Sequence, residues 1–153
     1  MNTVMKLPDN KFLEVIKNTP LVAIDLIIKN NQGEILLGQR INYPAKGYWF
    51  VPGGRIMKNE TIQLAFKRIL KTETNLDYNF KNTKLLGAYD HIYTDNYLKT
   101  DGINTHYVVL GYELNLEDGI KLKKDSQHTE YRWWSVKDLL LNDMVHDNTK
   151  NYF

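Results

Sequence analysis

Apolar and polar residues follow one another in blocks along the chain, and the block lengths predict a mixture of strands and helices. Residues 21–28 form a near-continuous apolar run that is long enough for a buried strand. A turn over 30–33 separates it from residues 34–37, which we expect to return as the hairpin partner. The same patterns predict a helix over 9–17, strands over 85–93, 105–114 and 131–134, and a short helix over 136–141.

Residues 38–59 carry little periodicity and are predicted to form one long loop. Loops of this length inside a compact domain are usually functional. A helix over 60–74 follows the loop, with Asn59 as its predicted N-cap. Mixed strands with a few helices favour an α/β or α+β sandwich over a regular βαβ repeat. No repeat or linker divides the chain, so we expect a single domain over 1–153.

Glu73 is exceptional on this helix because its position falls on the apolar face. At 100° per residue it lies within roughly 20° of Ile62, eleven residues earlier. An ionised carboxylate held away from water is costly unless a cation offsets it, and arginine, lysine or a metal ion could do so. The periodicity is equally compatible with a helix that frays at Thr72 and leaves Glu73 in solvent. The apolar stripe consists of Ile62, Ala65, Phe66, Ile69 and Leu70.

Asp25 and the double glycine at 53–54 also bear on a site for a cation or substrate. Asp25 interrupts the apolar run over 21–28, either as a site residue or as a buried carboxylate that bonds to nearby backbone. Gly53 and Gly54 allow backbone conformations closed to other residues, so a carbonyl there can turn toward a ligand. Hard cations such as magnesium prefer carboxylate and carbonyl oxygens. A double glycine followed by an inward-facing Glu73 therefore indicates a cation site.

Composition restricts the function classes. Twenty basic and eighteen acidic side chains give a formal net charge of +2, which does not favour a nucleic-acid or membrane-surface partner. The absence of cysteine excludes disulfides, thiol catalysis and thiolate-bound zinc. The N-terminus lacks the apolar run of a signal peptide, and no apolar stretch approaches a membrane span. We expect a soluble, cytoplasmic protein.

The segment from Gly54 to Leu76 resembles the Nudix box. That signature reads Gly, five residues, Glu, seven residues, Arg-Glu, an aliphatic residue, one residue, Glu-Glu, one residue, Gly and an aliphatic residue. Arg68 stands at the signature arginine, and we expect it to brace Glu60 or Glu73 rather than to contact substrate. The matching positions are Gly54, Glu60, Arg68, Leu70, Glu73 and Leu76. The departures are Ile69, Thr72 and Asn75, where Glu, Glu and Gly are expected.

The departures make the box similar to that of one subfamily, the GDP-mannose mannosyl hydrolases. The missing carboxylates normally bind further metal ions or activate water in Nudix enzymes that attack phosphorus. The resemblance covers nearly the whole chain, from about Phe12 to Phe153, and implies a Nudix-type α/β/α sandwich with a mixed sheet. The segments that carry it outside the box are 19–22, 37–38, 47–55, 105–111, 127–128 and 131–133.

This resemblance also implies a cofactor and a partner. A single Mg²⁺ would be held by the carbonyl of Gly53, the carboxylate of Glu73 and the side-chain oxygen of Gln127, with the substrate diphosphate completing its shell. Mn²⁺ is an alternative, since both ions favour oxygen ligands. Members of the subfamily form homodimers in which the N-terminal helix helps to build the nucleotide site of the partner.

The implied reaction is attack by water on the anomeric carbon of a GDP-hexose, with inversion and departure of GDP. Arg40 and Arg55 would stabilise the leaving diphosphate, because the planar guanidinium contacts phosphate oxygens bidentately; their ordinary alternative is surface ion pairing. His128, in a polar loop over 125–130, would be the general base.

Four further side chains are expected to contact substrate or metal-bound water: Phe12, Asp25, His91 and Tyr107. Phe12 would stack on guanine, with core packing as an equal alternative. Asp25 would hydrogen-bond a sugar hydroxyl or the leaving-group arginine. Tyr107 would donate to the diphosphate.

Two rival functions follow from the same residues. A conventional Nudix pyrophosphohydrolase would attack phosphorus and yield GMP and mannose 1-phosphate. A non-catalytic nucleotide-sugar sensor would bind without turnover. RNA-end processing is disfavoured by the near-neutral charge.

Overall fold

The computed structural model describes residues 6–117 and 128–153, and of His128 and Thr129 it describes the backbone alone. Helices and strands alternate irregularly along the chain, and a 3₁₀ turn follows the second helix at Phe80–Asn82. The elements are α1 (Asp9–Asn18), β1 (Leu21–Lys29), β2 (Ile35–Arg40), β3 (Trp49–Phe50), β4 (Gly53–Arg55), α2 (Ile62–Thr74), β5 (Lys84–Tyr93), β6 (Thr105–Asn115), β7 (His128–Trp134), α3 (Val136–Leu141) and α4 (Asp147–Lys150).

The strands form one mixed sheet in the order β3-β2-β1-β6-β5, with β4 paired to β1 and β7 paired to β2. The centre of the sheet is the parallel pair of β1 and β6, which is in register from Leu21 opposite Tyr107 to Lys29 opposite Asn115. The other pairings are antiparallel. Strand β1 is therefore covered along both edges, as its near-continuous apolar run predicts.

The side chains of β1 alternate between two cores on opposite faces of the sheet. Ile24, Leu26 and Ile28 pack with Phe66 of α2 in one cluster. Ile27 packs in the other cluster, which includes Leu139 of α3. Because successive strand residues point to opposite faces, helices on both sides bury the sheet. The predicted α/β/α sandwich is confirmed.

The start of α2 differs from the prediction. Thr61, not Asn59, caps the helix, and its hydroxyl accepts a hydrogen bond from the Leu64 amide at 3.2 Å. Asn59 instead has φ of 68°, a left-handed conformation that asparagine tolerates in turns. Ile62 was predicted to face the core and is 42% exposed, because contact with the core begins one turn later at Ala65.

The predicted long loop over 38–59 is wrong, because β2 continues to Arg40 and the stretch also contains β3 and β4. These two strands are so short that they leave no alternation in the sequence. Strand β7 begins three residues earlier than predicted, and α4 was not predicted. Within the described ranges, every helix is too short or too polar to cross a bilayer.

Candidate active site

A cavity of about 290 Å³ lies where the end of α2 meets the sheet. It is lined from α2 and from six strands, β1 to β6, so residues far apart in sequence converge on it. Seven of the lining residues are ones that were expected to act in catalysis or to bind substrate or metal: Asp25, Arg40, Gly53, Arg55, Glu73, His91 and Tyr107.

Glu73 faces this cavity from the last turn of α2. Its side chain is buried, with the residue only 3% exposed, so the frayed-helix alternative is wrong and the inward orientation is confirmed. The Tyr131 hydroxyl of β7 donates a 2.5 Å hydrogen bond to the Glu73 carbonyl and lies 3.5 Å from its carboxylate oxygen Oε2. This tyrosine fixes the helix end, where backbone carbonyls lack partners within the helix.

Gly53 and Gly54 are required because the backbone of β4 lies very close to β1 and α2, and not because the backbone has an unusual conformation. Neither has a positive φ, so the predicted reason for the glycines is wrong. A Cβ at Gly53 would overlap the Asp25 carboxylate and lie 2.7 Å from the Ile24 carbonyl oxygen. A Cβ at Gly54 would lie 3.1 Å from Ile69 of α2. The missing side chains let β4 lie directly between β1 and α2, which brings its backbone to the cavity.

Asp25 lines the cavity from β1, directly beside Gly53 of β4, and its side chain is 15% exposed. The Tyr152 hydroxyl donates a 2.7 Å hydrogen bond to its oxygen Oδ2. Burial raises the pKa of Asp25 to about 7, while the bond from Tyr152 and the charge of Arg40 act in the opposite direction. A carboxyl group with this pKa exchanges its proton near neutral pH.

His91 lies beside Asp25, with 3.9 Å between its Nδ1 and the Asp25 oxygen Oδ2. Burial lowers the pKa of His91 to about 4, so the imidazole is neutral at pH 7. Its Nε2 is buried and has no hydrogen-bond partner within the described part of the chain. A buried ring nitrogen of this kind on a cavity wall is available to a ligand.

Three arginines line the cavity, and two of them, Arg40 and Arg55, lie against aromatic rings. Arg40 lies 5.0 Å from the centre of the Phe50 ring, and Arg55 lies 4.2 Å from the centre of the Phe12 ring. Burial lowers the pKa of Arg55 from its very high ordinary value. Burial also raises the pKa of Tyr107, so its hydroxyl keeps the proton that a hydrogen bond to an anion needs.

Arg68 braces Glu60, which confirms one of the two partners predicted for it. Its Nε donates to the Glu60 carboxylate at 2.7 Å and its Nη2 donates to the other oxygen at 2.9 Å. Nη2 also donates to the Arg55 carbonyl at 2.8 Å. This bidentate pair therefore ties the loop before α2 to the strand that presents Arg55.

Two predicted site residues are described only partly or not at all. Gln127 lies outside the described residues. His128 is the first residue of β7, so its predicted position in a polar loop is wrong, and its backbone pairs with Arg40 of β2. The pairing with β2 extends β7 beyond the apolar residues from which the strand was recognised.

Sequence reasoning missed two residues that shape the site. Tyr93 lines the cavity, and the alternation of β5 could have indicated it, since it follows His91 by two residues on the same strand face. Tyr152 acts on Asp25 from 127 residues away, and no local pattern reports such a contact.

Carboxylates are sparse in this cavity. In 6–117 and 130–153 no group of three or more His, Asp or Glu side chains is arranged to hold a metal ion. Magnesium, however, is commonly held by one or two carboxylates together with waters and substrate phosphates. A buried Glu73 near the backbone of β4 fits that kind of site.

Comparisons with known proteins show the family to which the chain belongs. The model of the NUDIX domain family matches residues 19–153. The low-salt glycan biosynthesis protein Agl8 of Haloferax volcanii is 37% identical over 128 residues, which cover 83% of this chain and 78% of that protein. The ADP-ribose pyrophosphatase of Methanocaldococcus jannaschii is 43% identical over 70 residues, covering 46% of this chain and 40% of that protein.

Solved structures show the same fold at low sequence identity. The MutT protein from Methanosarcina mazei Go1 superposes with a TM-score of 0.70 at 18% identity, covering 88% of this chain and 91% of that one. The NUDIX domain of Shewanella oneidensis NrtR, solved with ADP ribose, superposes with a TM-score of 0.66 at 18% identity over 95% of this chain and 96% of that one. The chain belongs to the Nudix family and is a Nudix hydrolase.

Proposed function

We propose that this Nudix hydrolase cleaves the glycosyl bond of GDP-mannose, with GDP-glucose as a second substrate. Water attacks the anomeric carbon, the configuration inverts, and GDP departs with the bridging oxygen. The main support is the set of residues at the positions of the Nudix box. Its Glu73 carboxylate lines the cavity, while Ile69 and Thr72 stand at positions where glutamates are expected.

The absence of those two carboxylates favours attack at carbon. Ile69 is buried and packs on Gly54, so this position contributes apolar contact instead of an oxygen ligand. Attack at phosphorus requires a strongly activated water, whereas attack at an anomeric carbon requires a well-stabilised leaving group. The retained groups suit the second requirement, because arginines line the cavity around one box carboxylate.

Nudix hydrolases generally use a divalent cation such as Mg²⁺. In this chain Glu73, the Gly53 carbonyl and Gln127 would hold it, with Mn²⁺ as an alternative. A cation bound there would supply Lewis-acid charge to the diphosphate of the substrate.

Arg40 and Arg55 bind the diphosphate and stabilise the charge that develops as GDP leaves. Their fixed positions against aromatic rings support this role, because an arginine held before the reaction loses little side-chain entropy when it binds. Tyr107 donates its hydroxyl proton to a diphosphate oxygen. Phe12, which already stacks on Arg55, extends this surface toward the guanine base.

His128 acts as the general base that removes a proton from the attacking water. Its backbone pairs with Arg40, which supports a position close to the leaving group. Asp25 and His91 lie together on the cavity wall and would bind hydroxyl groups of the sugar, Asp25 as an acceptor and His91 through its buried Nε2. We further propose that the protein acts as a homodimer in the cytoplasm.

The name of one relative supports a nucleotide-sugar substrate. Agl8 is named for glycan biosynthesis, and glycans are assembled from sugars activated by nucleotides. The name of the ADP-ribose pyrophosphatase instead favours the rival reaction at phosphorus. The two reactions give different products from GDP-mannose.

Hydrolysis of GDP-mannose in ¹⁸O-labelled water with magnesium distinguishes them. We expect GDP and free mannose, with the label in the mannose, and proton NMR should show the inverted anomer first. Label in GMP or mannose 1-phosphate would establish attack at phosphorus. Measurable binding of GDP-hexoses without release of sugar would establish the sensor.

A further inference from the structure

Tyr152 reaches the cavity wall from the segment that follows α4. Its hydroxyl donates the 2.7 Å hydrogen bond to Asp25, across 127 residues of sequence. Backbone bonds that close a helical turn, such as Tyr152 N–H to the Thr149 carbonyl at 3.2 Å, fix where the ring emerges. The contact is therefore built by the tertiary fold.

The sheet leaves room for this ring at one position. Gly111 of β6 is the register partner of Asp25, and a Cβ at Gly111 would lie only 2.8 Å from Tyr152 Cε1. On its other sides the ring packs edge-on against Tyr89 at 4.7 Å and lies 6.0 Å from the His91 ring. Because Gly111 has no side chain, the Tyr152 ring can lie over this strand on the face of the sheet and reach the Asp25 carboxylate.

The segment that carries Tyr152 is itself fastened to the strands of the site. The His146 amide donates to the Trp49 carbonyl at 3.2 Å. The hydroxyl of the buried Thr149 accepts a hydrogen bond from the Val51 amide at 3.4 Å. Val51 lies two residues before Gly53, so these bonds tie the tyrosine to the strand that faces Asp25.

We propose that Tyr152 is a positioning residue of the active site, whose hydroxyl holds the Asp25 carboxylate in the orientation that the reaction uses. The bond to Oδ2 prevents rotation of the carboxylate, and Oδ1 then stays beside Gly53. What the held carboxylate does for the substrate rests on the proposed function. Tyr152 itself acts through Asp25.

Kinetics of Tyr152→Phe, which keeps the ring and removes the hydroxyl, test this role. With magnesium and GDP-mannose we expect kcat to fall by roughly tenfold to a hundredfold, because the hydrogen bond to Asp25 and the orientation it imposes are lost. KM should stay within about twofold. In an Asp25→Ala background the same substitution should cause no further loss of kcat. Tyr89→Phe, which removes a hydroxyl from the ring packed against Tyr152, is the matched control and should leave kcat unchanged.

Thermal unfolding tests the coupling without activity. Tyr152→Phe should lower the Tm by about 2–4 °C in an otherwise unchanged chain and by much less in the Asp25→Ala background. Tyr89→Phe should have the same effect on Tm in both backgrounds.

The two measurements separate failure of this inference from failure of the proposed function. A wild-type protein that releases no sugar from any GDP-hexose would refute the proposed function, and the unfolding cycle alone would then decide whether the hydroxyl fixes Asp25. Additive shifts in Tm, or a Tyr152→Phe protein with wild-type kcat, would overturn the positioning role.

Discussion

Glu73 occupies the centre of an apolar helix face, where Phe66 and Ile69 are also buried. A carboxylate in such a place destabilises the fold unless positive charge or hydrogen bonds offset the loss of water. The cavity provides both, through its arginines and through Tyr131 at the end of α2. Periodicity places this side chain on the apolar face, but it did not decide between an inward carboxylate and a frayed helix end; the structure shows the inward carboxylate.

Glu73→Gln should weaken magnesium binding by at least about 100-fold, because the amide lacks the charge of a carboxylate ligand. Calorimetric titration with Mg²⁺, or Mn²⁺ binding followed by EPR, measures this. Glu130→Gln, which makes the same change on a surface residue paired with Arg132, is the control and should leave the affinity unchanged. Equal affinities for Glu73→Gln and wild type would remove Glu73 from the proposed ligand set.

At the scale of elements, the predictable parts of the fold are those with long patterns. The bounds of β1 and β6 follow from the sequence to within one residue, because apolar residues recur along each of these strands. Strand β4 could not be predicted from the apolar pattern, since two of its three residues are glycines that allow close approach to β1 and α2. Resemblance to the Nudix family, rather than periodicity, indicated which of these residues form the site.

Arg68→Lys should lower the free energy of unfolding by about 1 kcal/mol, because lysine cannot make the bidentate contact with Glu60 and also reach the Arg55 carbonyl. The side chain of Arg68 is 33% exposed, so solvent screening limits the loss. Urea unfolding measures it.

Lys71→Met is the control for that experiment, because Lys71 lies on the same helix and its pair with Asp77 is exposed. It should change the free energy of unfolding by less than about 0.5 kcal/mol. An equal loss of unfolding free energy in both variants would mean that the contacts of Arg68 with Glu60 and the Arg55 carbonyl stabilise the fold no more than an exposed ion pair does.

At the scale of the whole molecule, the site is assembled from nearly every part of the chain. Asp25 comes from β1, His91 from β5, and Tyr152 from the segment after α4. Sequence patterns relate residues within one element only. Asp25 could therefore be recognised as a polar residue in an apolar run, but its partner Tyr152 could not be predicted. Substitutions in the site are therefore expected to change the free energy of unfolding of the whole domain as well as activity.

Asp25→Asn should raise the free energy of unfolding, and by more at pH 8 than at pH 5. The pKa of Asp25 is about 7 in the folded chain against an ordinary value of 3.8. Between these values the folded state holds a proton that the unfolded state has lost, so wild-type stability falls as pH rises through this window. Asparagine has no such titration, so its advantage should grow from about pH 4 to pH 7 and reach roughly 1–4 kcal/mol.

Urea unfolding across this pH range, in chelator so that no cation interacts with the carboxylate, measures the difference. Asp90→Asn makes the same change on a side chain that is 74% exposed and controls for the substitution itself. An Asp25→Asn advantage that does not vary with pH would contradict the burial of this carboxylate.

The parallel pairing of β1 with β6 has a consequence for synthesis of the chain. Strand β1 cannot acquire this neighbour until Thr105–Asn115 has left the ribosome, and a parallel pair always needs a long connection. At bacterial or eukaryotic translation speeds the intervening residues take roughly 4–15 s to appear. Throughout that interval the most apolar stretch of the nascent polypeptide lacks its central partner, and early-binding chaperones should find their principal target there.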